Sequence, residues 1–256
     1  MSQKGKKFKV GLIRVLTCEE PEVLYSHQRQ IMEKFPELEV ETKCIPDQPE
    51  GIHSPELGRI AVPKIVETAK TFQDVDMIIV SCADDPGVRE IREALPGIPV
   101  TGGGETTVAV ALRYGSRIGV LGITDYAPDA YARLLQGKMI LEKPEGVDST
   151  LDLMTPEGRE QVLLSGRKLK EKGAEVIALA CTGLATIGIA REPVSYTHLD
   201  VYKRQVQPGG STDCAGACLS LQDEGIPEYL TKLCMKHKVL PERLGSGNKE
   251  FIPIKC

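Results

Sequence analysis

The feature that most constrains this chain is a pattern that occurs twice. Lys9-Val10-Gly11-Leu12, followed by Leu16-Thr17, is similar to Arg117-Ile118-Gly119-Val120, followed by Ile123-Thr124. Further along, Val75-Asp76-Met77-Ile78-Ile79-Val80-Ser81-Cys82 is similar to Ala174-Glu175-Val176-Ile177-Ala178-Leu179-Ala180-Cys181. Each copy opens on a strand-like run and later sets a cysteine at the C-terminal end of another, the second interval being slightly shorter. One such match could arise by chance; two in the same order are harder to dismiss. Between the copies, short apolar runs alternate with amphipathic stretches, the pattern of βα units in an α/β fold with parallel sheets. Strands are expected at Lys9–Val15, Glu39–Cys44, Met77–Ser81, Val100–Thr101, Ile118–Gly122 and Val176–Ala180. Ligands of open parallel sheets bind beyond the carboxyl ends of the strands, so both cysteines fall where a site is expected.

Helix signals fill the intervals. Thr155-Pro156-Glu157 offers an N-cap followed by Pro at N1, with an apolar stripe through Val162, Leu163 and Leu169 and Gly173 as a stop. Ser54-Pro55-Glu56 opens another helix, which Pro63 is expected to break or restart. At 256 residues the chain can bury a full core, as one large domain or two small ones. A net charge of −4 gives no basic field for a phosphate backbone, and 4% aromatic residues without Trp give no base-stacking surface. No apolar run reaches the roughly 20 residues that span a bilayer. The start, with Gly5-Lys6-Lys7 leading directly into Phe8, lacks a signal-peptide core. A cytoplasmic location with free thiols is the resulting expectation, without nucleic-acid or membrane partners. Among eight cysteines there is no C-x-x-C, and His27, His53, His198 and His237 show no ligand spacing, so no metal site is expected.

Chemistry then rests on the two repeated cysteines. Asp85 and Pro86 suit an N-cap and N1, so a helix is expected to start just after Cys82, and Thr182-Gly183 suits a strand-to-helix turn after Cys181. A helix N-terminus favours thiolate over thiol. One cysteine as thiolate and the other as thiol could remove a proton from a carbon alpha to a carbonyl and return one on the opposite face. Backbone N–H groups at the turns would steady the enolate oxygen. Either cysteine alone reads better as a buried core residue; the matched pair reverses that preference.

Ser81-Cys82-Ala83-Asp84-Asp85-Pro86-Gly87, Gly102-Gly103-Gly104-Glu105, Ile118-Gly119-Val120-Leu121-Gly122-Ile123-Thr124 and Ala180-Cys181-Thr182-Gly183 stand in the order seen in the aspartate/glutamate/hydantoin racemase superfamily. The C-x-x-D-P-G form resembles its hydantoin and allantoin racemase branch. The resemblance, over roughly residues 8–190, implies two pseudo-symmetric flavodoxin-like halves with the active site in the cleft between them. The first half would hold residues 1–106 with about 206–256 and contain Cys82; the second would hold 107–205 and contain Cys181. It implies no metal, no pyridoxal phosphate or other cofactor, and catalytic roles for Cys82 and Cys181 on a small cyclic amide, ureide or amino-acid-like carboxylate. A homo-oligomer is compatible with it. Substrate contacts are expected from Arg14, Ser81, Gly103, Gly104, Thr124, Thr182 and Gly183, with the glycine amides holding a carbonyl or carboxylate and Thr124 donating a hydrogen bond. Plain turn glycines, a strand-end threonine and a surface arginine are the simpler readings of those positions. Where the family commonly has Asn-Pro-Asn-Thr, this chain has Ile13-Arg14-Val15-Leu16-Thr17, and Arg14 suggests a substrate bearing a carboxylate. Residues 44–53 resemble a lid loop. Alternatives on the same scaffold are a maleate isomerase, which also uses paired cysteines, or an arylmalonate decarboxylase, which retains one. A non-catalytic small-molecule binding or thiol-redox protein is the alternative of another class.

Val194-Ser195-Tyr196-Thr197-His198-Leu199-Asp200-Val201-Tyr202-Lys203-Arg204-Gln205 fits nothing around it. It resembles the translation of two back-to-back transposon ends used in preparing sequencing libraries. It is read as non-native sequence replacing a helix and strand, which requires its coding DNA to be a reverse-complement palindrome.

Overall fold

A computed structural model describes residues 7–189 and the backbone of 200–201. The chain runs β1 (Phe8–Arg14), α1 (Pro21–Leu24), α2 (Ser26–Lys34), β2 (Leu38–Cys44), α3 (Pro55–Lys70), β3 (Met77–Ser81), α4 (Val88–Ala94), β4 (Val100–Gly102) and α5 (Gly103–Ala111). It continues through β5 (Ile118–Leu121), α6 (Asp129–Leu135), β6 (Met139–Glu142), a 3₁₀ turn at Asp152–Met154, α7 (Pro156–Glu171), β7 (Val176–Leu179), α8 (Gly183–Thr186) and β8 (Asp200–Val201). The strands form two parallel four-stranded sheets in the orders β2-β1-β3-β4 and β6-β5-β7-β8. The second sheet therefore repeats the first strand for strand, as the doubled sequence pattern requires.

Both orders reverse direction at the same place. From β1 the chain moves outward to β2, then crosses to the other side of β1 as β3; β5, β6 and β7 do the same. The crevice beyond β1 and β3, and beyond β5 and β7, is the topological switch point where such sheets bind ligands. Arg14 and Ser81 end their strands side by side in register, and Cys82 follows. Ile13, Ile65 and Ile78 pack the first core, Ile118 and Val120 one face of the second sheet, and Leu169 and Ile177 its other face. Burying each such side chain contributes about 1.5–3 kcal/mol.

Several expectations change. Pro63 does not break α3: it lies on the exposed face four residues after exposed Arg59, where solvent can satisfy the carbonyl that its missing N–H leaves free. Leu163 lies on the outer side of α7, while Val162 and Leu169 are buried. The helix after Cys82 starts only at Val88, because Asp85 and Gly87 adopt positive φ (51° and 74°) and turn the chain first. Asp85 instead accepts from the Gly104 and Glu105 amides at 2.7 and 2.6 Å, capping α5. The helix caps at Ser54 and Thr155 do form, with bonds to the Leu57 and Gly158 amides. Strand β6 was not expected: its apolar run Met139-Ile140-Leu141 is only three residues long, between Lys138 and Glu142-Lys143, and all four of its residues are half-buried at the edge of the sheet. Asp200–Val201, inside the stretch read as non-native, takes the position in the second sheet that β4 takes in the first. Residues 206–256, assigned from sequence to the first half, lie outside the described residues, as do Cys214 and Cys218.

Candidate active site

Between the two sheets the strand ends enclose a cleft of about 340 Å³. Cys82 reaches it from the end of β3 and Cys181 from the equivalent end of β7, each nearly buried at 8% and 9% exposure. The sulfurs are close enough that charge on Cys181 would raise the pKa of Cys82. Both belong to free thiols. Arg14, Thr124, Thr182 and Gly183 also line the cleft, whereas Ser81, Gly103 and Gly104 do not.

The local bonding explains that division. Gly103 is wedged at the start of α5, where a Cβ would stand 3.0 Å from the Cys82 carbonyl oxygen and 3.5 Å from the Thr182 side chain. Gly104 passes closer still to the Ala83 carbonyl, and its amide is engaged by Asp85. The triple glycine thus serves close packing of α5 against the Cys82 turn, and the Gly104 amide is not free for a substrate. Thr124 donates its hydroxyl proton to the Tyr126 carbonyl at 2.7 Å, which leaves it an acceptor toward the cleft rather than the donor expected. Ser81 is buried against His27, 2.8 Å away.

Burial dominates the thiols and overrides the expected depression of their pKa. Cys181 is pushed up to about 11, although the nearby backbone amides of Gly183 and Leu184 at the start of α8 oppose the shift. Cys82 is pushed up further: burial leads, the Asp84 amide opposes it, and the carboxylates of Asp84 and Asp85 add to the rise. Cys181 is therefore the easier of the two to ionise. At pH 7 a thiol of pKa about 11 is thiolate in about one molecule in 10⁴. Alkylation of Cys181 by iodoacetamide, followed by peptide mass mapping, is expected to accelerate about tenfold per pH unit and still to be rising at pH 10. A plateau below pH 8 would contradict this burial-controlled picture.

Arg14 is 3% exposed yet has no carboxylate partner among the described residues. Its Nη1 donates to the carbonyls of Val23 (2.7 Å) and Leu24 (3.3 Å) and to Ser26 Oγ (3.1 Å), and its Nε is buried without a partner. Burial lowers its pKa. An uncompensated buried cation on a cleft wall is a place for an anion.

Sequence reasoning missed several wall residues. Asp84, within the first cysteine motif, lines the cleft, and burial raises its pKa even though it accepts from the Asp129 amide. Tyr126, Leu151 and Met154 give the mouth an exposed apolar rim. No local pattern marks them, because they come from loops that only the fold brings together. The lid-like residues 44–53 are held down by paired bonds between Thr17 and Gln48, and Thr150 of the other half donates to the Glu50 carbonyl. His53 on this loop lines the cleft.

The parallel α/β fold is doubled, and one cysteine from each sheet lines a shared cleft. The family model for Asp/Glu/Hydantoin racemase matches residues 23–203, and the chain belongs to that family. It is 28% identical over 131 residues to a hydantoin racemase of Rhizobium meliloti, covering 45% of this chain and 50% of that protein. A hydantoin racemase of Pseudomonas sp. (strain NS671) is 25% identical over 142 residues, covering 49% and 54%. The chain thus aligns with only about half the length of the curated relatives it matches. Allantoin racemase from Pseudomonas fluorescens shares the fold at a TM-score of 0.67 and 18% identity, covering 96% of this chain and 100% of that one. Glutamate racemase from Francisella tularensis, solved with D-glutamate, does so at 0.57 and 15% identity, covering 93% and 84%. No helix among the described residues is long and apolar enough to cross a membrane.

Proposed function

We propose that this chain is an isomerase, a cofactor-independent racemase or epimerase in which Cys82 and Cys181 act as an acid–base pair. The observation that carries this reading is that the two thiols come from equivalent strand ends of opposite halves and line one cleft. As a thiolate, Cys181 takes the proton from a carbon alpha to a carbonyl; the carbon becomes an enolate, and the Cys82 thiol gives its proton to the other face. The thiolate has then moved from Cys181 to Cys82, and the reverse turnover or exchange with water resets the pair. Each transfer of this kind contributes about 10²- to 10⁴-fold. Thr182 and Gly183 form the wall beside Cys181, and Arg14 holds the substrate's anionic group. Ser81, Gly103 and Gly104 act by supporting the Cys82 turn.

The names of the relatives point to a cyclic ureide as substrate, and Arg14 points to one that also carries a carboxylate, as does an amino-acid-like substrate. A small-molecule partner suffices for this chemistry, and a cytoplasmic setting suits thiols that must stay reduced. The test is loss of optical rotation from enantiopure hydantoins, allantoin and N-carbamoyl amino acids, with and without a side-chain carboxylate. Carboxylated substrates are expected to turn over best, and Arg14→Met to raise their KM about 10- to 100-fold, the worth of a charged hydrogen bond. No racemisation of any member would overturn the proposal, and equal KM values for charged and neutral members would remove Arg14 from it.

A further inference from the structure

We infer that His27, which does not touch the cleft, is the positioning residue that holds the two cysteine turns at their working separation. The inference rests on the two-thiol reading above and adds a residue that neither the family motifs nor the cleft wall contains. His27 sits on α2 in the first half and is 7% exposed. Its Nδ1 lies 2.8 Å from the hydroxyl of Ser81, the residue before Cys82. Its Nε2 lies 3.0 Å from Thr186 Oγ1, on the helix that starts directly after Cys181 and Thr182. One imidazole thus ties the Cys82 turn of one half to the Cys181 turn of the other.

The protons in this bridge can be assigned by elimination. The Ser81 hydroxyl has no other acceptor among the described residues, so its proton goes to Nδ1, and Nε2 carries the N–H toward Thr186 Oγ1, whose own proton turns to the Thr182 carbonyl. In a neutral ring Nδ1 is then the acceptor and takes the Ser81 hydroxyl proton. Thr182 closes the circuit by donating its own hydroxyl to the Ser81 carbonyl at 3.2 Å. Every donor in the ring has an acceptor, and no charge is needed. Burial, and after it the nearby Arg14 cation, lowers the imidazole pKa to about 3, so the bridge keeps one protonation state throughout the working pH range. Gln30, one turn along the same helix, adds a second tie to the far half through the Ala185 carbonyl at 3.2 Å.

A pair of thiols must stand on opposite sides of a single carbon, and a misplacement of about 1 Å can cost on the order of 10²-fold. A shared imidazole fixes that spacing from behind, without entering the cleft.

The test is cross-linking with a bis(bromomethyl)benzene, a rigid reagent that joins two thiols one ring apart. Peptide mass mapping of the folded fraction, isolated by size-exclusion chromatography before reaction, gives the ratio of bridged Cys82–Cys181 to the two singly alkylated cysteines. The wild type is expected to bridge. His27→Phe, which keeps the ring and loses both bonds, should lower the ratio about tenfold or more. Thr186→Val and Ser81→Ala, each removing one bond, should lower it less and in the same direction, and they carry the test if His27→Phe does not fold. Where turnover is measurable, kcat should fall with KM nearly unchanged. Ratios equal to the wild type in all three variants overturn the positioning role while leaving the two-thiol reading intact. A wild type that never bridges removes the shared geometry, and the inference with it.

Discussion

Cys82→Ser or Cys181→Ser is expected to lower racemisation by about 10²- to 10⁴-fold in either direction, measured by polarimetry. The substitution keeps size and hydrogen-bonding capacity and changes the acidity of the group. A hydroxyl in the same buried position ionises far less readily than a thiol that is itself already raised to about 11 at Cys181. The double variant is expected to be little worse than either single one, because the two groups act on one proton inventory and lose function as a unit. The Cys82 variant should nevertheless differ from the Cys181 variant. Two nearby backbone amides of α8 favour the Cys181 thiolate, whereas the one amide favouring that of Cys82 is opposed by two carboxylates, so the remaining base is stronger in one case and easier to ionise in the other. Activity that survives both changes together would take the thiols out of the mechanism.

The second large effect is on stability. In Gly104→Ala the added methyl would collide with the Ala83 carbonyl, a backbone group with no flexible end to move aside, and would press on the Asp85 carboxylate at 2.9 Å. Relieving the clash displaces Asp85 from the two amides it caps. Overpacking costs about 1–3 kcal/mol and lost buried hydrogen bonds about as much again. The melting temperature is therefore expected to fall by roughly 4–24 °C, at about 2–4 °C per kcal/mol for a chain of this size. Gly97→Ala is the control: it is exposed, has nothing within 4 Å of the new methyl, and should melt within a degree or so of the wild type. Equal melting of the two variants would show that the triple glycine is not held by packing. Since Ala83 directly follows Cys82, the same displacement should also lower turnover.

How much of this was legible in the sequence follows from what each signal measures. Local patterning found β1, β3, β4, β5 and β7 within a residue or so, because buried parallel strands are short apolar runs, and the edge strand β2 from the alternation of Leu38, Val40 and Thr42 with charged residues. The half-buried edge strand β6 escaped it. The doubled pattern located Cys82 and Cys181 because strand ends are fixed by chain order. Long-range contacts were not legible. Asp85 reads as a local cap, yet serves the helix after the next strand. The glycine amides read as a free anion cradle until that carboxylate is seen in it. The thiol pKa was misjudged for the same reason, since helix ends can be read from sequence and desolvation cannot. His27 carries no motif at all, and only the apposition of α2 and α8 gives it partners in both halves. The expected boundary between residues 106 and 107 falls inside α5, whose start packs on the Cys82 turn and whose length packs on α6 and β7.

The central claim is that protons leave and return on opposite faces of one carbon through two different sulfurs. It is tested most directly by NMR in deuterated water with a single enantiomer of a substrate that is turned over. In the wild type, deuterium should appear at the alpha carbon almost wholly in the inverted enantiomer, and in each single cysteine variant any residual exchange should be confined to one enantiomer. Deuterium entering both enantiomers equally from the start, in the wild type and in both variants alike, would contradict it.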